Sequence, residues 1–245
     1  MRKRTWILFS AVCFAVAAAL WTWGVSHRNE TAFAAQVGGV EEASEQKYIA
    51  LTFDDGPKAG RTDLLLDGLA QRGVKATFFL IGQMVEGSED LVRRMEEEGH
   101  QVGLHTYHHV DVKGLSQEAF AEEMALSRGA VENVLGAKNY MLRPPYGFYN
   151  DNIKAWAGTP IILWSVDTLD WKYQNADRLA AVLTQETKDG DIVLMHDIFS
   201  SSVEGVLRGV DALLEQGYTL VTVDELFAIR GIQPEPGHVY SKLAP

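Results

Sequence analysis

The sequence has little cysteine and few basic residues for its length. Its 245 residues include one cysteine, Cys13, so no disulfide bond can form within the chain and its core must stabilise the fold. Lysine and arginine total 22 against 33 aspartate and glutamate residues, and residues 1–28 hold four of the basic residues and no acid. The remainder is therefore strongly acidic. Such a surface repels the phosphate backbone of nucleic acids, so a nucleic-acid partner is excluded.

Long apolar runs are also scarce, and the one that occurs lies near the N-terminus. It covers residues 6–25, follows three basic residues and has the length that spans a bilayer core as a helix. We predict that residues 1–28 are a signal or membrane anchor, an apolar helix that places the rest of the chain outside the cytoplasm. The small residues Ala32 and Ala34 offer a cleavage site, so an anchored chain and a secreted, cleaved chain both stay open.

Beyond this segment the sequence divides into a linker, a folded domain and a tail. Residues 29–46 are small and polar without an apolar period, which predicts a flexible linker. Residues 47–231 alternate between apolar runs typical of strands and segments with helical spacing. The predicted strands cover 48–53, 76–81, 101–104, 140–143, 161–165, 192–195 and 219–223. The predicted helices cover 62–72, 88–98, 116–135, 150–157, 176–188, 202–216 and 224–230. Residues 232–245 are predicted to be an irregular C-terminal tail.

This alternation predicts an α/β fold with a parallel sheet and right-handed crossovers. Seven repeats suit a closed or nearly closed barrel. In such barrels the active site lies at the C-terminal ends of the strands.

Two clusters of chemically active side chains follow predicted strands. Asp54 and Asp55 leave the first strand in different directions, so one carboxylate could bind a metal while the other acts as a base. His105 and His109 follow the third strand, and a helical turn there would bring both imidazoles onto one face, where zinc is often bound. With Asp55 they would form a metal set with open positions for water and substrate. A plain Asp-Gly-Pro turn and surface histidines are the structural alternatives. The zinc-protease pattern HExxH is excluded because position 106 is threonine.

Later strands end in further candidate residues. Prolines at 144 and 145 hold the backbone rigid, so the Tyr146 amide is a candidate oxyanion donor, and we expect Arg143 to reach across the mouth of the barrel. Asp170 lies beside a large aromatic side chain, Trp171, and His196 follows the sixth strand. A tight turn and a buried core histidine are the alternatives. An active site is favoured because all the clusters fall on the same rim.

Five segments carry these residues in order: TFDD at 52–55, HTYHH at 105–109, RPPY at 143–146, DTLDW at 167–171 and LMH at 194–196. In order and spacing they resemble the five motifs of the NodB-type polysaccharide deacetylases, carbohydrate esterase family 4. The resemblance implies a distorted (β/α)7 barrel, the NodB homology domain, over residues 47–231. It also implies a divalent metal, zinc first with cobalt or similar ions as substitutes, bound by Asp55, His105 and His109.

The resemblance further implies a role for each catalytic residue. Asp54 would be the general base that takes a proton from the attacking water, positioned by Arg143. The backbone amide of Tyr146 would stabilise the oxyanion. His196 would protonate the departing amine, with Asp170 orienting it and supporting its charged form.

The implied activity is metal-dependent hydrolysis of a linear amide, the removal of N-acetyl groups from a glycan. The implied substrate-binding residues are Pro145, Tyr146, Trp171 and Leu194, with the last two around the acetyl methyl. An exported domain encounters peptidoglycan first, so the N-acetylglucosamine units of peptidoglycan are the favoured substrate. Chitin-type oligosaccharides, N-acetylmuramic acid and O-acetyl esters are the alternative substrates. A non-catalytic glycan-binding barrel is the alternative from another class. A missing metal ligand or catalytic base would distinguish such a non-catalytic protein, and this sequence has every ligand and base that the resemblance implies.

Overall fold

A computed structural model of the chain describes residues 46–244, and its elements alternate largely as the pattern predicts. The strands are β1 (Lys47–Asp54), β2 (Thr77–Leu80), β3 (Gln101–Leu104), β4 (Ile161–Ile162), β5 (Val166–Asp167), β6 (Ile192–His196), β7 (Tyr218–Val221) and β8 (Val239–Tyr240). The α-helices are α1 (Thr62–Arg72), α2 (Gly82–Val85), α3 (Glu89–Glu97), α4 (Gln117–Leu135), α5 (Asp151–Trp156), α6 (Asp170–Tyr173), α7 (Ala176–Glu186), α8 (Ser200–Glu215) and α9 (Val223–Ile229). Two 3-10 turns cover Val112–Gly114 and Pro145–Gly147.

The predicted anchor, residues 1–28, and the linker up to residue 45 lie outside the described residues. Between residues 46 and 244, no helix combines the length and the apolar character that crossing a membrane requires.

β1 lies at the centre of a six-stranded parallel sheet. The strand order is β3-β2-β1-β6-β5, with β7 paired to the first half of β1. In the second half of β1, Asp54 lies opposite Phe79 on one side and His196 on the other. Because the pairing is parallel, β1, β3 and β6 end at the same edge. Asp54, His105 and His196 therefore start from neighbouring positions, and the predicted α/β class with a parallel sheet is confirmed.

Two predicted strands differ from the structure. The strand expected over 140–143 is reduced to single bridges, in which Leu142 pairs with Leu104 and with Ile161. Two consecutive prolines follow at positions 144 and 145, and proline cannot donate to a ladder, so the strand cannot continue.

The strand expected over 161–165 is split. β4 pairs with β8, which lies in the segment predicted to be an irregular tail, whereas β5 pairs with β6. The break falls where Arg143 donates hydrogen bonds to the carbonyls of Ile162 and Leu163. The Arg143 side chain therefore occupies carbonyl oxygens that would accept hydrogen bonds if the strand pairing continued.

The alternation of β1 divides its side chains between two environments. Leu51 and Phe53 belong to the larger hydrophobic core, whereas Ala50 belongs to a second, smaller one. The period of two therefore places Thr52 and Asp54 on the side of Ala50. Both are buried, at 0% and 3% exposure, so their polar atoms must find partners inside the protein.

Three helices show clear capping residues. Ser116 accepts a hydrogen bond from the Ala119 amide and begins α4. α1 ends at Gly73, which adopts a left-handed φ of 63°. Thr222 and Glu225 form a complete capping box at the start of α9.

His100 gives the fold a specific pH dependence. It is buried, and its Nδ1 accepts a hydrogen bond from the Ala76 amide at 3.0 Å, so the folded chain holds it neutral. Burial lowers the pKa of His100 from 6.5 to about 4. Between these pH values the unfolded chain binds a proton that the folded chain does not. Stability should therefore fall as the pH is lowered, by about 2 kcal/mol at pH 5 from this group alone.

The variant His100→Asn keeps a hydrogen-bond acceptor and removes the titration. We expect its free energy of unfolding to fall less than that of the wild type between pH 7 and pH 5. Urea unfolding with a chelator present measures both. Equal falls in the two proteins would contradict the assignment.

Candidate active site

The two adjacent aspartates at the end of β1 point to different partners. Asp54 Oδ1 accepts a hydrogen bond from Arg143 Nη1 at 2.8 Å, and the Asp54 side chain is 4% exposed. Asp55 adopts a left-handed φ of 73° and turns its carboxylate toward the histidines. The predicted divergence of the two carboxylates is confirmed.

Asp55, His105 and His109 form a group that could hold a metal ion. One ligand atom from each lies within 4.8 Å of the other two. Asp55 Oδ1 is 3.5 Å from His105 Nε2 and 3.3 Å from His109 Nε2. This oxygen is buried and has no hydrogen-bond partner among residues 46–244. An unpaired buried carboxylate oxygen facing two imidazole nitrogens fits a divalent cation, and two histidines with one carboxylate leave coordination positions open.

His105 is oriented by the backbone. Its Nδ1 lies 2.6 Å from the carbonyl oxygen of Arg143, which can only accept, so the proton is on Nδ1. Nε2 faces Asp55, and in the neutral ring with this tautomer it carries the lone pair. This is the usual arrangement behind a metal-binding histidine.

The helical turn that would bring the two histidines onto one face is not present. β3 ends at Leu104, and residues 105–109 form an irregular loop. Thr106 and His109 adopt left-handed φ values of 60° and 57°, which fold the chain back and bring the two rings to a centroid distance of 5.0 Å. Neither residue is glycine, so the conformation is strained and its neighbours must maintain it.

His196 forms a buried pair with Asp170. Its Nδ1 is 2.8 Å from Asp170 Oδ1, while Asp170 Oδ2 accepts hydrogen bonds from the His196 amide and from Ser202 Oγ at 2.8 and 2.6 Å. Burial lowers the pKa of His196, but the hydrogen bond and charge of Asp170, with smaller contributions from Asp54 and Asp55, raise it to about 9. Burial raises the pKa of Asp170, and the bonds to His196 and Ser202 outweigh this and lower it. The pair is thus an imidazolium and a carboxylate at neutral pH.

Arg143 does not reach across the mouth of the site, and that prediction is wrong. Its side chain is fully buried beneath Asp54, with 0% exposure. Nη1 donates to Thr52 Oγ1 at 2.7 Å as well as to Asp54, and Nε and Nη2 donate to the carbonyls of Ile162 and Leu163. A buried charge requires such pairing, and these four hydrogen bonds supply it.

These groups meet around one cavity of about 340 Å³. It is lined by Asp54, Asp55, His105, His109, Tyr146, Trp164, Asp167, Trp171, Leu194 and His196. Trp171 is 49% exposed and Leu194 is buried, so they form an outer and an inner wall. The Tyr146 ring packs edge-on against His109 at 4.8 Å, and its backbone has a left-handed φ of 62°. Pro145 is buried and is not among the lining residues.

Sequence reasoning missed several residues of the site. Trp164 lines the cavity, and a side chain added at Gly147 would come within 2.8 Å of it. A tryptophan near the end of a predicted strand was an available signal. Asp197 follows His196 in the chain and is buried, and its carboxylate accepts a hydrogen bond from the Thr62 hydroxyl. The carboxylate also lies close to Gly56, where an added Cβ would be 2.5 Å from it. Burial raises the pKa of Asp197 to about 7.

Comparison with known proteins decides the family. The family model described as polysaccharide deacetylase matches residues 41–159. The solved structure of the T48 deacetylase with substrate is similar to this chain, with 42% sequence identity and a TM-score of 0.77 over 80% of this chain and 97% of that one. The chain belongs to the polysaccharide deacetylase family.

Two curated relatives of this chain are longer proteins. The peptidoglycan-N-acetylglucosamine deacetylase PgdA of Listeria monocytogenes is 42% identical over 192 residues, 78% of this chain and 41% of that protein. The peptidoglycan-N-acetylmuramic acid deacetylase PdaC of Bacillus subtilis is 35% identical over 185 residues, 76% of this chain and 40% of that protein. The chain thus spans about two fifths of the length of these curated relatives.

The buried pair of Arg143 and Asp54 predicts a large and recoverable loss of stability. Arg143→Met should lower the free energy of unfolding by about 3–5 kcal/mol because Asp54 is left buried without its counter-charge. Adding Asp54→Asn should restore part of the loss by removing that charge. The partly exposed Arg128, 3.7 Å from Glu132, is the control, and Arg128→Met should cost less than about 1 kcal/mol. Urea unfolding with chelator measures all four proteins, and no recovery in the double variant would contradict the account.

Proposed function

We propose that this chain is a metal-dependent hydrolase that removes N-acetyl groups from N-acetylglucosamine units of peptidoglycan. One observation carries the proposal: a candidate base, a candidate metal set and His196, the candidate acid paired with Asp170, all line the same small cavity. Amide hydrolysis needs an activated water, a stabilised oxyanion and a protonated leaving nitrogen, and these groups can supply all three.

Asp55, His105 and His109 would hold the divalent ion. Their mixed nitrogen and oxygen donors suit zinc first, with cobalt or a similar ion as a substitute. When bound, the ion supplies a Lewis acid that polarises the acetyl carbonyl and makes a neighbouring water more acidic.

Asp54 would act as the general base. Arg143 holds its Oδ1, which leaves Oδ2 directed toward the metal set, 3.8 Å from His105 Nε2. From there Oδ2 can take a proton from the attacking water. The Tyr146 amide, fixed in a left-handed turn between Pro145 and Gly147, would donate a hydrogen bond to the developing oxyanion.

His196 would act as the general acid. Asp170 holds Nδ1, so the Nε2–H is the group that can protonate the departing amine. With a pKa of about 9, His196 is protonated at neutral pH and ready to donate. Asp170 positions the ring and stabilises its charge.

The substrate assignment is drawn from the relatives and the shape of the cavity. Trp171 and Leu194 would enclose the acetyl methyl, and Tyr146 would also bind substrate. Pro145 is buried outside the cavity lining, so it would act on substrate only by fixing the position of Tyr146. The names of the relatives specify N-acetylglucosamine in PgdA and N-acetylmuramic acid in PdaC, and the higher identity to PgdA favours the former. N-acetylmuramic acid, chitin-type oligosaccharides and O-acetyl esters are the alternatives, and a non-catalytic glycan-binding protein is the remote one.

The proposal places residues 47–231 outside the cytoplasm as a distorted (β/α)7 barrel. It would be anchored through residues 6–25 or secreted after cleavage, with residues 29–46 as the linker and 232–245 as the tail. The barrel is supported by the bridges that continue the sheet from Leu104 through Leu142 to Ile161, and by an antiparallel bridge from Asp191 to Lys242.

Acetate release tests the proposed activity. The purified chain is incubated with peptidoglycan, chitooligosaccharides and O-acetylated xylan, with added zinc or cobalt and separately with chelator. We expect metal-dependent release, greatest from peptidoglycan. Bound metal without release from any substrate would contradict the activity.

Asp54→Asn separates the base from the ligands. We expect turnover to fall by about 10²–10⁴-fold, because the variant cannot accept the proton, while metal content stays that of the wild type. Atomic absorption of the purified variant gives the metal content. A variant that loses its metal would make Asp54 a ligand and overturn its role as base.

Asp170→Asn tests the acid through its pH dependence. Removing the carboxylate lowers the pKa of His196, so the acid loses its proton at a lower pH. The descending limb of the kcat/KM profile should therefore move to lower pH, measured from pH 6 to pH 10. Asp177→Asn, which removes an exposed carboxylate paired with Arg208, should leave the profile unchanged. An unmoved limb in Asp170→Asn would remove His196 from the acid role.

A further inference from the structure

The loop between the two candidate histidine ligands is held at its backbone from two sides. On one side, the carbonyls of Thr106 and Tyr107 accept hydrogen bonds from the amides of Gly82 and Gln83, at 2.9 and 3.1 Å. Those amides belong to the first residues of α2. On the other side, the amides that point away from α2 face helix α4.

Glu123 of α4 binds these amides. Its Oε2 accepts hydrogen bonds from the Tyr107 and His108 amides at 3.1 and 3.0 Å, and its Oε1 lies 2.6 Å from His108 Nδ1. The Glu123 side chain is 12% exposed, so this carboxylate is largely withdrawn from water and committed to the loop. Buried hydrogen bonds to a charged acceptor are the stronger kind.

The loop needs such support because its conformation is unfavourable without it. Thr106 and His109 both adopt left-handed φ values although neither is glycine, so the isolated loop would relax. His105 has its own anchor in the Arg143 carbonyl. No hydrogen bond from another described residue reaches the His109 imidazole, whose position therefore depends on the backbone that carries it.

We infer that Glu123 is a positioning residue for the metal site, which holds His109 in place for the ion by binding the two amides that precede it. The inference rests on the ligand set of the proposed function. It concerns affinity for the metal rather than the chemical step. Glu123 itself touches neither the candidate ligand atoms nor the cavity.

Metal affinity of the full chain tests the inference. The protein is stripped with chelator, and the Kd for cobalt is measured by competition with a coloured chelator, together with the visible absorption of the bound ion and the Tm of the metal-free chain. We expect Glu123→Ala to weaken cobalt binding about 10-fold and to alter the visible spectrum, as removal of an outer partner of a metal ligand does. Glu123→Gln keeps an oxygen that can accept from both amides and should recover most of the affinity.

Glu122→Ala is the matched control, since Glu122 lies next to Glu123 on α4 but is exposed. It removes the same charge and should leave both the Kd and the spectrum unchanged. If Glu123→Ala does not fold, Glu123→Asp replaces it, because it retains the charge but withdraws the carboxylate from the loop, and the same loss is expected.

An unchanged Kd in the folded Glu123 variants, or an equal loss in Glu122→Ala, would overturn the inference. Acetate release at saturating metal is measured alongside. A wild type that binds cobalt and releases no acetate contradicts the proposed activity, yet leaves the comparison of affinities valid.

Discussion

The buried guanidinium of Arg143 is the interaction on which the site depends. A charge removed from water costs several kcal/mol unless every donor is matched, so its position is fixed by its acceptors. Those acceptors are the Thr52 hydroxyl, the Asp54 carboxylate and two carbonyls near the end of β4. The guanidinium also lies over the Phe79 ring at 4.1 Å. One side chain thus joins β1, β2 and β4 below the cavity.

The same residue also fixes the metal set through its backbone. Its amide donates to Leu104, its carbonyl accepts from His105, and its side chain binds Asp54. The candidate base and one candidate ligand therefore share a single anchor, which sets their separation. The cost appears in the sheet, because the segment at Leu142 is reduced to single bridges and the strand after Ile162 is broken. Regular strand pairing is lost after Ile162, where the Arg143 side chain binds the carbonyls of Ile162 and Leu163.

These irregularities mark the limit of what the sequence could predict. The alternation in β1 placed Asp54 and Asp55 apart, and parallel strands brought Asp54 and His196 to one edge, because both patterns are local or follow from strand direction. The direction of Arg143 could not be predicted, since its acceptors include carbonyls about 20 residues further along the chain. The left-handed loop before His109 contains no glycine and so carries no local signal. Glu123 looked like any polar residue on an amphipathic helix.

The charged groups of the site differ in how their charges are satisfied, and the difference indicates what the site binds. Asp54 is paired with Arg143, and His196 is paired with Asp170. In contrast, Asp55 Oδ1 is buried and has no hydrogen bond among the described residues. A protonated imidazole next to Asp55 could donate a hydrogen bond to this oxygen. However, burial and the adjacent His105 lower the pKa of His109, which favours its neutral form. A divalent cation is a partner that can satisfy this anionic oxygen and the Nε2 lone pairs of two neutral imidazoles at once.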